Sequence, residues 1–136
     1  MIRRHKRHKI DRYEKAYNSD GGTDIIMDKD VVFPPGEMTV VELTVPVNPP
    51  SGHLAIICPR SSYALQGIFI ANCPIDAHYT GYVKAIVFNS GKNVVSCKKG
   101  ERFCQFIVLK CIPNLYNAKC RKLGRRKTNG WGSSGK

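Results

Sequence analysis

A chain of 136 residues is long enough for one domain with a real core and too short for two. Its 42% hydrophobic content is ordinary for a globular protein, and no apolar run approaches the ~20 residues of a membrane span. The net charge of +12 is carried mostly by the two ends, which points to anionic partners: nucleic acid, or the phosphates of a small ligand.

Residues 1–12 are polar, aperiodic and basic (Arg3, Arg4, Lys6, Arg7, Lys9, Arg12), and are read as an arm with a first strand starting near Ile10. No apolar signal-peptide core follows, so the expected location is cytoplasmic or nuclear, with no membrane association. Asn18 to Asp24 is turn chemistry, rich in Asn, Asp and Gly. Ile25–Met27 and Val31–Phe33 follow as short strands, the second stopped by Pro34-Pro35-Gly36. Met38 to Val45 is β-branched and alternating, so it is predicted as a strand. His53 to Cys58 is predicted as a buried strand running into Pro59-Arg60-Ser61-Ser62, and Tyr63 to Gln66 as a single helical turn.

Ile68–Ile70 and Tyr82–Phe88 are predicted as strands flanking Ile75-Asp76-Ala77-His78-Tyr79-Thr80-Gly81. A hairpin of this kind points a carboxylate and an aromatic ring into a shared space; an ionised carboxylate can polarise water and a ring can wall a pocket. Val94–Cys97 is a further strand, and Phe103 to Ile112 the longest apolar run, whose β-branched and aromatic content favours a strand over a helix. Short strands every 8–12 residues with Gly/Pro breaks imply a β-sandwich, jelly roll or small barrel. Lys119 to Lys127 is basic, and Gly130 to Gly135 is a Gly/Ser tail bearing Trp131. The divisions expected are therefore a basic arm (1–12), a β domain (13–120) and a C-terminal arm (121–136).

The six cysteines include no C-x2-C pair and none stands beside a histidine at zinc spacing, so they are read as reduced thiols serving mostly as small apolar fillers.

Five short pieces line up along the chain: Gly22-Thr23-Asp24-Ile25, Pro59-Arg60-Ser61-Ser62, Ile75 to Gly81, Gly100-Glu101-Arg102-Phe103-Cys104-Gln105-Phe106, and Arg126 followed by Gly130-Trp131-Gly132-Ser133-Ser134-Gly135. Their order and spacing resemble the five motifs of the trimeric dUTPases, across nearly everything after Tyr17. The resemblance implies an all-β jelly-roll subunit, a homotrimer with active sites assembled from neighbouring chains, and a flexible C-terminal arm that closes over them. It implies hydrolysis of dUTP to dUMP and pyrophosphate with Mg2+ on the triphosphate. Phosphoryl chemistry of this kind needs positioned oxygens, charge neutralisation and an aimed nucleophile.

By resemblance, Asp76 activates the water, and Arg60, Ser61, Ser62 and Gln105 contact phosphates and metal-bound water. Tyr79 packs under the deoxyribose and excludes a 2'-hydroxyl, while Asn72 and Ile75 belong to the hairpin that reads uracil. Arg126 reaches the γ-phosphate, Trp131 stacks on the base, Gly132, Ser133 and Ser134 cradle phosphate oxygens, and Asp24 approaches the metal through water. The chain departs from the family pattern at Ser62, Cys73-Pro74, His78 and Trp131. Two other readings have their own signatures. A dCTP deaminase needs a glutamate on the strand after the hairpin, where Val83-Lys84-Ala85-Ile86-Val87 has no carboxylate. A regulatory or nucleic-acid-binding protein with a dUTPase-like body would use the basic arms, which predict weak nucleic-acid binding.

Overall fold

The computed structural model describes residues 10–121, 124–128 and 130–132. Nine strands and one helical turn follow in chain order: β1 (Tyr13–Glu14), β2 (Thr23–Ile25), β3 (Val31–Phe33), β4 (Met38–Pro46), β5 (His53–Pro59), α1 (Ser61–Ala64), β6 (Ile68–Ile70), β7 (Tyr82–Asn89), β8 (Val95–Cys97) and β9 (Cys104–Lys110). They form a four-stranded sheet in the order β1-β2-β9-β5, a two-stranded ribbon β3-β8 and a three-stranded sheet β4-β7-β6, with every pairing antiparallel. This nearly all-β architecture is a jelly roll. Among the described residues no helix is long and apolar enough to cross a membrane.

Period-two alternation builds the core. Val41, Leu43 and Val45 of β4, Ala55 and Ile57 of β5, and Val83, Ala85 and Val87 of β7 are buried, while intervening side chains turn outward. Phe33 and Phe103 meet edge to face at 5.2 Å inside this layer. Asn89 is fully buried at the end of β7, and its amide donates to the Phe33 and Asn93 carbonyls at 2.8 Å each while its oxygen accepts from Gly91 N–H. Every polar group of that side chain is thus used, two bonds closing the turn at Gly91 and Asn93 and one tying it to Phe33, which is how an amide is accommodated in a core.

Several predicted boundaries move, and the helical turn expected at Tyr63–Gln66 lies two residues earlier, at Ser61–Ala64. The strand expected at Ile25–Met27 is Thr23–Ile25, because Met27 exchanges backbone bonds with the turn at Gly100-Glu101 instead of a ladder. The first strand starts at Tyr13, after a turn in which Tyr13 N–H bonds the Ile10 carbonyl. The 103–112 run is a strand over Cys104–Lys110. All six cysteines are free thiols, but only Cys97 and Cys104 are fully buried, so the filler role belongs to those two. The outward face of β4-β7-β6 carries Met38, Val40, Phe69 and Phe88 exposed and in register (Met38 and Phe69 both opposite Phe88), an apolar patch uncovered within one chain.

Candidate active site

The hairpin stretch 71–81 leaves the sheet after Ala71 N–H bonds the Ile86 carbonyl at 2.9 Å. Ile75 then returns to β5, exchanging two backbone bonds with Ala55 at 2.7 and 3.0 Å. That anchor buries Ile75 and leaves Asp76 facing solvent, its side chain 54% exposed. His78 takes a positive φ of 65° at the bend, and the ring of Tyr79 turns inward to 5% exposure. Tyr79 Oη donates to the Tyr82 carbonyl at 2.8 Å.

Two glycines make room for that ring. A Cβ on Gly81 would strike Tyr79 Oη and lie 2.7 Å from Cζ, and one on Gly130 would lie 3.2 Å from Cε2. The tail reaches the same place. Thr80 N–H bonds the Lys127 carbonyl at 2.6 Å and Lys127 N–H bonds the His78 carbonyl at 3.1 Å, pairing the tail in parallel with Tyr79. Arg126 Nε then lies 3.1 Å from Asp76 Oδ2. Positive φ values at Trp131 (54°) and Gly132 (96°) fold the indole back, so that Trp131 Nε1 donates to Tyr79 Oη at 3.0 Å.

Together these residues enclose a cavity of 540 Å³, with Cys73, Pro74, Ile75, Asp76 and Tyr79 as one wall and Arg126, Gly130, Trp131 and Gly132 opposite. Its floor is the outward face of the sheet, Val40 on β4 with Lys84 and Ile86 on β7. The volume is that of a small-molecule site.

A second cluster forms at the start of β2 and the end of β5. The register sets Asp24 opposite Gln105 and Gln105 opposite Cys58, so Arg60 emerges just beyond β5 beside that row. Arg60 Nε lies 3.4 Å from Asp24 Oδ2, and Asp24 is only 9% exposed. Gln105 Nε2 reaches the Pro59 carbonyl at 3.4 Å, and its amide lies flat against Gly22, where a Cβ would overlap Oε1. Lys15 Nζ bonds the Asp20 and Gly22 carbonyls at 2.6 and 3.0 Å and fixes that loop. Asp24, Arg60, Ser61 and Gln105 line one polar cavity of 320 Å³. An arginine, a hydroxyl and an amide converging there are the donor types that hold phosphate oxygens.

Ser62 lines the neighbouring hollow with Gln66 and Arg102, and Asn72 is exposed without lining the large cavity. The two cavities share no lining residue. Ser133 and Ser134 lie outside the described residues, as do residues 1–9 of the basic N-terminal arm, one of the two arms on which the expected nucleic-acid contact rests. Arg12, at the end of that basic run, is held against the body by bonds to Ile26, Leu43, Thr44 and Asp28. Sequence reasoning missed Lys84, Ile86 and Val40 as cavity residues; the alternation of β4 and β7 assigns them an outward face but not what stands over it.

The jelly roll, with one nucleotide-sized cavity and one phosphate-type cluster, defines a class of small β-fold proteins built to hold a phosphorylated ligand. Residues 8–135 match the family model for dUTPase. A deoxyuridine 5'-triphosphate nucleotidohydrolase from a Thermoanaerobacter species is 33% identical over 128 residues, spanning 88% of this chain and 86% of that protein. The native dUTPase structure of EIAV superposes with a TM-score of 0.71 at 25% identity, covering 82% of this chain and 93% of that one. A Staphylococcus bacteriophage 80alpha dUTPase with dUPNHPP shares the fold, with a TM-score of 0.68 at 24% identity over 90% of each chain. The chain belongs to the dUTPase family.

Proposed function

We propose that this protein hydrolyses dUTP to dUMP and pyrophosphate, keeping uracil out of DNA and supplying dUMP for dTMP synthesis. The observation that carries this reading is the convergence of Asp76, Tyr79, Arg126 and Trp131 on one cavity from segments 50 residues apart in sequence. Asp76 Oδ orients a water and takes its proton; the water oxygen bonds the α-phosphorus as the bridge to the β-phosphate breaks, and pyrophosphate leaves. Tyr79, immobilised by its bond to Tyr82, packs under the deoxyribose where a 2'-hydroxyl has no room. Uracil is read along the hairpin wall by the stretch containing Asn72 and Ile75. Arg60, Ser61, Gln105 and the backbone at Ser62 hold phosphate oxygens, and Arg126 moves from Asp76 to the γ-phosphate. Trp131 stacks on the base, while Gly132 with Ser133 and Ser134 cradles phosphate. Residues 13–120 are the body and 121–136 the arm.

Among the described residues no three His, Cys, Asp or Glu side chains gather into a metal cage. The Asp24 carboxylate in the polar cavity suits Mg2+, which usually keeps several waters and binds through substrate phosphates. Asp24 would hold it through water, and when bound it neutralises charge on the triphosphate.

A homotrimer joins the two halves of the site. On one chain the Asp76 cavity and the Arg60 cluster share no lining residue, and the exposed Met38, Phe69 and Phe88 face supplies apolar surface for association. The test is pyrophosphate release from dUTP, expected to fall about 10²–10⁴-fold in Asp76→Asn. Co-refolding Asp76→Asn with Arg60→Ala should then restore about a quarter of parental activity, since sites pairing an intact Asp76 with another chain's intact Arg60 form at random in a closed ring. No turnover by the parent chain defeats the enzymatic reading; no complementation defeats the shared site.

A further inference from the structure

We infer that Lys84 is a substrate-binding residue whose ammonium donates to a carbonyl oxygen of the pyrimidine base. The inference rests on the dUTP reading above and adds a side-chain donor on the cavity floor to the contacts of the hairpin wall. Uracil presents two carbonyl acceptors flanking one N–H, so a pocket that holds it must offer N–H or O–H donors. Along residues 73–75 of the wall the backbone donors are spent or missing. Cys73 N–H bonds the Ala71 carbonyl at 3.0 Å, Pro74 has no N–H, and Ile75 N–H bonds the Ala55 carbonyl at 2.7 Å.

The side-chain donors of the cavity are mostly engaged as well. Tyr79 Oη donates to the Tyr82 carbonyl, Trp131 Nε1 donates to Tyr79 Oη, and Arg126 is paired with Asp76. A Cys73 thiol is a weak donor. Lys84 is different. It stands on β7 in the cavity floor, two residues before Ile86, which faces Val40; it is half-buried, and its ammonium makes no hydrogen bond or ion pair among the described residues. Glu42 lies opposite it across the β4-β7 ladder without forming an ion pair within 4.0 Å. A cation on an apolar floor, in a cavity whose other strong side-chain donors are committed, has its unmet hydrogen-bonding capacity directed at whatever fills the space. A carbonyl oxygen in that position satisfies it, and an ammonium–carbonyl bond formed away from bulk water is stronger than a neutral one.

The test uses the full chain carrying Lys84→Met, which keeps the length and apolar stem and removes the donor, and Lys84→Arg, which keeps a cation. Lys84→Met should lower kcat/KM for dUTP about tenfold or more, the loss carried by KM, as expected for removing a charged hydrogen bond to substrate. Affinity for dUMP and for deoxyuridine, read by calorimetry, should fall by the same factor, and Lys84→Arg should recover part of it. The melting temperature should stay at the parental value; should Lys84→Met fail to fold, Lys84→Gln is scored by the same ratios. A kcat/KM within twofold of the parent overturns the inference. A loss for dUTP and dUMP with deoxyuridine binding unchanged also overturns it, because the ammonium would then be reading phosphate. A parent that binds dUMP without hydrolysing dUTP defeats the enzymatic reading alone, and the dUMP and deoxyuridine ratios still decide Lys84. A parent that binds neither defeats both.

Discussion

Gly22→Ala separates positioning from stability at the phosphate-type cluster. Gly22 is not among the residues with positive φ, so alanine fits its backbone. The added Cβ would overlap Gln105 Oε1 and sit 2.9 Å from Cδ, against an ordinary carbon contact of about 3.5–4 Å. The obstacle is the tip of a flexible side chain, so the amide swings aside by about 1 Å and the backbone stays. Folding loses the bond from Gln105 Nε2 to the Pro59 carbonyl, which at 3.4 Å is long and is worth at most about 1 kcal/mol. It gains about 0.4–1 kcal/mol from a less free unfolded chain. The two nearly cancel, so the melting temperature should move by no more than about 4 °C. Catalysis does not cancel: about 1 Å of misplacement in a positioning group costs up to about 10²-fold. The assay pairs a thermal scan with pyrophosphate release for Gly22→Ala, Gln105→Ala and the double variant. If the effect runs through Gln105, the double variant is no slower than Gln105→Ala alone. A Gly22→Ala enzyme with parental kcat, or a double variant showing additive losses, refutes the reasoning.

Tyr79 should split into ring and hydroxyl effects: Tyr79→Phe keeps exclusion of UTP while losing the Trp131 bond, and Tyr79→Ala admits UTP; equal selectivity in all three proteins removes Tyr79 from the sugar-gating role. Deleting residues 125–136 should leave a trimer by light scattering with turnover cut severely, and full turnover would leave the tail no part in the reaction. Burial raises the thiol pKa values of Cys97 and Cys104, so both stay protonated in the fold while the unfolded thiols ionise near about 8.5. That stability is fully present below about pH 8.5 and is lost as pH rises through the higher folded values, so the urea midpoint should fall between about pH 8 and 10. Cys104→Ala should flatten the slope, and a midpoint independent of pH over that range would contradict the burial argument.

Much of the fold was legible because alternation is a local signal. Met38–Pro46, His53–Pro59 and Tyr82–Asn89 carry their buried faces in their own residues, and Asn89-Ser90-Gly91 announces its turn. The strand at Thr23–Ile25 was shifted because Ile26 and Met27 are as β-prone as Ile25, and only the Gly100-Glu101 turn, far along the chain, claims Met27. The site was legible as residue types and not as contacts. Asp76, Tyr79 and Arg126 stand out in sequence, but the fit of Tyr79 between Gly81 and Gly130 requires knowing that the tail returns to this hairpin. Lys84 reads as an ordinary outward lysine on an amphipathic strand until the segment over it is placed.

The same distinction bears on how the tail can serve a reaction that needs Asp76 free. Arg126 pairs with a carboxylate that is 54% exposed, and ion pairs so open to water contribute at most about 1 kcal/mol. A triphosphate offers the guanidinium two oxygens at once and more negative charge, a stronger partner than one half-solvated carboxylate. On the proposed mechanism substrate favours the exchange: Arg126 would turn to phosphate, and Asp76 Oδ2 would be released toward water with a phosphorus nearby. The backbone bonds from Thr80 and to His78 at Lys127 do not involve either side chain, so the tail stays seated while its arginine changes partner. The main-chain bonds that seat the tail involve neither the Arg126 nor the Asp76 side chain, so substitutions at Arg126 should change turnover far more than they change where the tail lies.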